Sequence, residues 1–311
     1  MSELGDVLVV TVRKSFWASS EAEQWPRRLY ARVYRGHSSA LMNAVPVFVR
    51  ALLSIWLRPP RIVLLGSVER TVPWFIRARR FGLLRKARLV VTNQLNLMPA
   101  ELEYVDRVIV YASAQATKLG EKGVFLPLPA DGDFEEARRA AEPGDYAFAG
   151  GGAGRDFVTL VDAVRGAPVR VEIAMFAPEI PGPVPANVRT SGPMPLQNFL
   201  ARMAGANIVV IPLSDAASPH GQTTLVQALA LGKPIVATRS LGVVDYVENR
   251  REGLLVDARD PIALRDAVLR LFGDEDLRMT CAAHAAKRGA SLSYCAHASS
   301  LAQICRALCG D

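Results

Sequence analysis

The sequence predicts an α/β protein of two doubly wound parallel-sheet domains. Three observations predict it. Short β-branched runs alternate with helical patterns in both halves of the chain, and strands separated by helices pair through crossover connections, which makes the sheet parallel. A polar, Pro/Gly-punctuated stretch at 129–145 (PADGDFEEARRAAEPGD) parts the two series and reads as a linker. The length, 311 residues, suits two domains of about 150 residues each. The expected boundaries are residues 1–140 and 141–311.

In the first series Val7–Val12 (VLVVTV) is the opening strand. Residues 19–58 are mostly helical in pattern. Arg61–Gly66, Arg88–Thr92, Arg107–Tyr111 and Val124–Leu128 are strands. Residues 71–86 set Trp74, Phe75 and Ile76 among Arg77, Arg79, Arg80, Arg85 and Lys86, which predicts a basic amphipathic helix. The second series places strands at Tyr146–Ala149, Val169–Met175, Val188–Gly192, Asn207–Leu213, Ile235–Thr238 and Gly253–Val256. Helices fall at Asp156–Arg165, Leu196–Gly205, Thr223–Leu231, Pro261–Phe272, Asp276–Arg288 and 291–311.

Composition narrows the class. Hydrophobic residues make up 50% and charged residues 22%, which excludes a mostly disordered chain. The four cysteines all fall after residue 280, without zinc-ligand spacing; a reduced, cytoplasmic setting is expected. The N-terminus carries neither the charged region nor the cleavage site of a signal peptide. Leu41–Leu57 is apolar for 17 residues but holds Pro46 and Arg50, so a buried or surface-lying helix is expected rather than a span. Net charge is +7, and the surplus is local: residues 1–140 carry 21 basic and 13 acidic side chains, residues 141–311 carry 16 and 17. The first half therefore suits an anionic membrane or a phosphorylated substrate. No nucleic-acid-binding pattern accompanies the charge.

Three loops carry chemistry. Gly150–Arg155 (GGGAGR) follows a strand and precedes a helix; Gly151 and Gly152 let a ligand approach the backbone, and Arg155 offers a fork suited to phosphate. A plain flexible turn is the alternative. Ser218–Gln227 (SPHGQTTLVQ) again joins strand to helix. His220, Gly221 and Gln222 open that helix, and Thr223 and Thr224 put hydroxyl and N–H groups in its first turn, where a diphosphate can dock. Simple capping is the alternative. Leu241–Tyr246 (LGVVDY) is a loop with one carboxylate, Asp245. Asp131-Gly132-Asp133 spells DxD but falls in the linker, so no metal site is expected. His37, His284 and His297 have no partnered spacing.

The run from Asn207 to Arg288 resembles the nucleotide-binding domain of family-4-type glycosyltransferases of the GT-B fold. NIVVIPL, GQTTLVQALALGKPIVATRSLGVVDYV and EGLLVDARDPIALRDAVLRLFGDEDLR carry the resemblance, and GGGAGRDFVTLVDAV resembles the segment that opens the same domain. The likeness covers about 150 residues. It implies two Rossmann-like domains facing a cleft, with a nucleoside-diphosphate sugar, of the UDP kind, on the C-terminal one and the acceptor on the N-terminal one. It implies a hexosyl transfer that retains configuration and needs no metal or other cofactor, the helix dipole and basic side chains taking the leaving diphosphate.

Residue by residue, Arg155 stands near the family's diphosphate lysine and Gly151 at its arginine. Gly192 and Met194 would hold the base. Gln227 occupies the second position of the family's glutamate pair and would hold the ribose; Pro219 occupies the first, with His220 beside it as a candidate catalytic group. Asn93 and Gln94, after the strand RLVVT, are the acceptor-side candidates. A lipid-linked or natural-product acceptor fits the basic, aromatic N-terminal helices, which would make a peripheral contact at the cytoplasmic membrane face. The alternative is a non-catalytic sugar-nucleotide-binding or accessory subunit, which Pro219 and Gln227 support.

Overall fold

The computed structural model describes residues 7–11, 27–30, 48–49, 51–53, 55–57, 59–66, 72–93, 97–175 and 180–310. They divide into two units. The first comprises Met1–Pro127 with Tyr294–Asp311, the second Leu128–Ser293.

The first unit is a six-stranded parallel sheet of β1 (Val7–Thr11), β2 (Arg27–Tyr30), β3 (Ile62–Gly66), β4 (Arg88–Thr92), β5 (Arg107–Val110) and β6 (Gly123–Phe125), in the order β2-β1-β3-β4-β5-β6. The expected strands are in place, the last one shortened. β2 is new: it lies inside the stretch read as helical, where RRLY has too little alternation to announce a strand. Ile62 and Leu64 point to one face of the sheet, Val63 and Leu65 to the other, and all four are buried. One face is covered by α1 (Val72–Arg80), which inserts Val72, Phe75 and Ile76. The helix is shorter than expected, because residues 81–86 form turns around Gly82 at φ 85°. Short helices α2 (Pro99–Leu102) and α3 (Ser113–Lys118) link the later strands.

The other face is covered by the far end of the chain. Helix α10 (Tyr294–Cys309) sets Leu301, Ala302 and Cys305 against Val7, Ile62, Leu64, Val90 and Ile109. The last helix therefore belongs with the first unit, whereas the sequence reading put everything after residue 140 in the second domain. Its apolar stripe has the first sheet's open face to fill, a long-range match that no local pattern reveals. None of the four cysteines is in a disulfide, and burial pushes the Cys305 thiol up to about 12.

The second unit is a six-stranded parallel sheet of β7 (Ala147–Gly151), β8 (Val171–Met175), β9 (Val188–Ser191), β10 (Ile208–Ile211), β11 (Ile235–Thr238) and β12 (Gly253–Val256), in the order β12-β11-β10-β7-β8-β9. Helices α4 (Phe134–Arg139), α5 (Phe157–Val164), α6 (Leu196–Gly205), α7 (Gln222–Ala230), α8 (Pro261–Gly273) and α9 (Glu275–Ala290) complete it. The expected linker holds α4, capped by Asp133, whose Oδ1 accepts the Glu136 N–H at 2.9 Å. The second half of the DxD triplet is thus a helix cap. Among the described residues no helix is long and apolar enough to cross a membrane.

A partly buried carboxylate and a buried imidazole in the first unit contribute to its acid response. Asp106 accepts from Arg79, from Arg88 at 3.1 Å and from the Leu89 N–H at 2.7 Å. Burial works to raise its pKa, but these partners outweigh it and hold the carboxyl below the usual range. His297 of α10 donates from Nδ1 to the Pro127 carbonyl at 2.9 Å, and burial pushes the ring down to about 4. An unfolded chain protonates that imidazole near 6.5 and the folded one only near 4. The His297 contribution to stability therefore falls as pH drops from 6.5 to 4, whereas that of Asp106 is lost only at lower pH. Thermal unfolding of His297→Asn should flatten the first slope, and Asp106→Ala should cost about 2 kcal/mol at neutral pH. An unchanged acid slope in the histidine variant would contradict the assignment.

Candidate donor site

Parallel strands leave their carboxyl ends on one edge, and an open α/β sheet binds ligands where its winding reverses. The second sheet reverses between β7 and β10: β8 and β9 extend one way from β7, while β10, β11 and β12 extend the other. The loops leaving β7 and β10 are the GGGAGR and SPHGQTT segments, and the loop leaving β11 is the LGVVDY segment. All three candidate loops meet at this reversal.

Backbone bonds hold them together. The Asp156 N–H donates to Pro212 O and the Ser214 N–H to Gly154 O, each at 3.0 Å, and Arg155 bridges Leu213. Thr238 Oγ1, at the end of β11, accepts the Leu213 N–H at 2.8 Å. The Leu241 N–H donates to Ala216 O at 3.0 Å. Approach is so close that a Cβ on Gly242 would lie 2.5 Å from His220 O. Gly154 is at φ 70°, and a Cβ there would lie 2.4 Å from His220 Nδ1.

Arg155 lies at the centre. Its Nε donates to Gly150 O at 2.9 Å, Nη1 to Ala153 O at 3.3 Å and Nη2 to Thr224 Oγ1 at 2.8 Å. A guanidinium has five N–H donors, so two remain. Among the described residues no carboxylate is paired with it. Burial pushes it down to about 10, which still leaves it charged at neutral pH. Gly151 makes room for it: at φ 115° it has no side chain, and a Cβ would strike the guanidinium at 2.7 Å.

Helix α7 begins beside that cation. Gly221 precedes it in the left-handed region at φ 94°, no side chain caps its first turn and no acid stands there. Its opening N–H groups, from Gln222 and Thr223 on, and its dipole add to the positive potential of Arg155.

The other expected residues divide. His220 is exposed and its Nδ1 lies 2.7 Å from Ser218 Oγ, at the rim of the same site. Gly152 is in the β7 loop. Gly192 and Met194 follow β9, on the same edge but two strands from β7, about 10 Å away. Gln227 is 3% exposed and its Nε2 donates to Asp131 O at 3.2 Å. That amide braces the segment before α4. Asn93 closes β4 at φ 55°, with its N–H on Ile109 O at 2.7 Å; Gln94 lies outside the described residues. The first sheet reverses between β1 and β3, whose outgoing loops also lie outside them. Among the described residues no group of three His, Cys, Asp or Glu side chains could hold a metal.

Sequence reasoning missed Thr238, Gly154 and Gly242 as the parts that bring the loops together. It also missed a cavity of about 720 Å³ behind the β11 loop, lined by residues such as Arg239, Glu248, Arg251, His284 and Lys287. Positive φ or tight approach could be suspected at the two glycines, but the partners are 66 and 22 residues distant.

With this geometry in hand, comparison assigns the class. Residues 175–274 match the family model described as Glycosyl transferases group 1. The chain has the GT-B fold, and the matched segment lies in its second unit. A D-inositol 3-phosphate glycosyltransferase of Corynebacterium urealyticum is 35% identical over 121 residues, which is 39% of this chain and 28% of that relative. The chain thus matches little more than a quarter of that relative's length. The sucrose-phosphate synthase structure from Thermosynechococcus elongatus aligns with 97% of this chain and 89% of its own at 16% identity and a TM-score of 0.67. HepE of Anabaena, solved in complex with UDP, aligns with 97% of this chain and all of its own at 13% identity and a TM-score of 0.66.

Substituting Gly154 tests the convergence of the loops. Gly154→Ala combines a left-handed backbone with a displaced His220, and should lower stability by about 1–3 kcal/mol in denaturant melts. Gly166→Ala has comparable φ but open space around it, so it should cost less.

Proposed function

We propose that this chain transfers a hexosyl group from a nucleoside-diphosphate sugar, a UDP-sugar in particular, to a lipid-linked or natural-product acceptor at the cytoplasmic face of a membrane. The observation that carries the reading is the pairing of Arg155 with the uncapped start of α7 at the sheet reversal. A cation with two unused N–H donors and no carboxylate stands beside a helix dipole of the same sign. That arrangement is built for an anion, and a diphosphate presents oxygens to both groups at once. The UDP and UDP-glucose complexes of HepE, which has the same fold, support uridine as the base.

In this reading charge develops on the β-phosphate as the glycosidic bond to the donor sugar breaks. Arg155 and the Gly221–Thr224 N–H groups stabilise it more in the transition state than in the ground state. The protein then needs no metal at the diphosphate, and the sugar keeps its configuration with no protein nucleophile. The segment from Gly192 to Met194 holds the base, His220 serves the transferred sugar, and Asn93 and Gln94 are the acceptor-side residues.

The test is a melting-temperature panel with UDP, UDP-glucose, GDP and ADP, followed by a donor-turnover assay with and without chelator. UDP ligands should raise the melting temperature by mass action. Arg155→Ala should weaken that response by about 10–100-fold in apparent affinity, the worth of a charge-assisted pair. Chelator should leave turnover unchanged. Absence of any nucleotide response would overturn the donor site; UDP binding without turnover under any acceptor would favour the accessory-subunit reading instead.

A further inference from the structure

We propose that the first unit docks on an anionic lipid bilayer through one apolar patch with a basic rim, a proposal that rests on the lipid-linked acceptor reading for its purpose and locates the surface that serves it. The patch has two parts. Residues 48–49, 51–53 and 55–57 are helical. One face of that segment sends Ala51 and Ile55 into the core. The opposite face carries Val49, Leu53, Trp56 and Leu57, spaced for one side of a helix, and leaves Trp56 79% and Leu57 75% exposed. The turn after α1 adds Phe81, 79% exposed, and Leu83. Between them runs a groove of about 670 Å³ lined by Val49, Leu53, Trp56, Leu83, Arg85 and Lys86.

A helix apolar on both faces has a second partner besides its own core. Charge says which. From residue 24 to residue 100 the sequence carries fourteen Lys and Arg and a single acid, Glu69, although Arg79 and Arg88 pair with Asp106 just beyond that stretch. Arg80, Arg85 and Lys86 are exposed beside the patch. A bilayer of anionic lipid meets both requirements together: headgroups for the cations, and an acyl boundary for Trp56, Leu57 and Phe81. An acidic protein would match the charge but not the row of unpartnered aromatic and aliphatic side chains. Of the basic, aromatic helices that the sequence offered for membrane contact, α1 turns Phe75 and Ile76 into the core. The lipid-facing groups are its neighbours in the turn and in the preceding helix.

Co-sedimentation of the full chain with vesicles of phosphatidylcholine alone, and with phosphatidylglycerol added, tests the proposal without substrate. The chain should pellet with the anionic vesicles only, and less so as salt is raised. Trp56→Ser combined with Leu57→Ser, and separately Arg85→Glu combined with Lys86→Glu, should each cut the bound fraction about tenfold or more. All four side chains are exposed, so melting temperature and its shift with UDP should not change. No binding, equal binding to neutral vesicles, or variants that bind like the wild type would overturn the proposal. So would a wild-type dimer that the serine variant converts to monomer, which would give the patch to a second copy of the chain. Vesicle binding by a protein that ignores UDP would sink the donor reading and leave this one standing.

Discussion

The reversal of winding between β7 and β10 is the constraint on which the second unit depends. Two parallel strands whose connections leave in opposite directions cannot have their outgoing loops packed by a common helix, and a crevice opens at their carboxyl ends. Here that crevice receives the Arg155 loop from β7 and the start of α7 from β10. Thr238, at the end of the next strand, ties the β10 loop from the other side. Each polar contact is short range, but the strand order decides which loops are in range.

The electrostatics follow from that placement. Some arginines in the unit pair with acids, Arg251 with Glu248 and Glu252, and Arg202 with Glu172. Arg155 donates to three neutral partners, which fix its direction without cancelling its charge. Burying an uncompensated cation costs stability. The nearby helix start adds to the cost, because its dipole has the same sign. An anionic ligand relieves both together, which is why this feature carries more functional weight than the glycines around it. The glycines have a steric role: without the open position at Gly151 the guanidinium could not lie back over β7.

The first unit shows a different division of labour. Its sheet is covered on one face by helices from its own half of the chain and on the other by α10, which returns from the C-terminus. His297 anchors that helix at Pro127, next to the point where the chain passes into the second unit. The basic surplus visible in the sequence does not sit on one amphipathic helix. Arg85 and Lys86 line an apolar groove assembled from two separate segments.

Much of the fold was legible in the sequence because buried parallel strands are continuous apolar runs. IVVI, IVAT and RLVVT could be little else once helices were seen between them. The three site loops were legible for a related reason: glycine and short polar residues after such a run mark the ligand edge. RRLY was not legible, since a short edge strand rich in arginine has no period to detect. Nor was the α4 helix, which lies in the stretch read as a linker and is capped by Asp133. The sequence by itself determined the two α/β series, the parallel pairing and the loops that carry polar chemistry, because those are consequences of local pattern and chain connectivity. Only the tertiary structure decided that Arg155 pairs with no carboxylate among the described residues, that Gln227 turns its amide to Asp131, and that the final helix completes the first sheet. Those outcomes depend on which distant surfaces meet, and burial, not spacing, settles them.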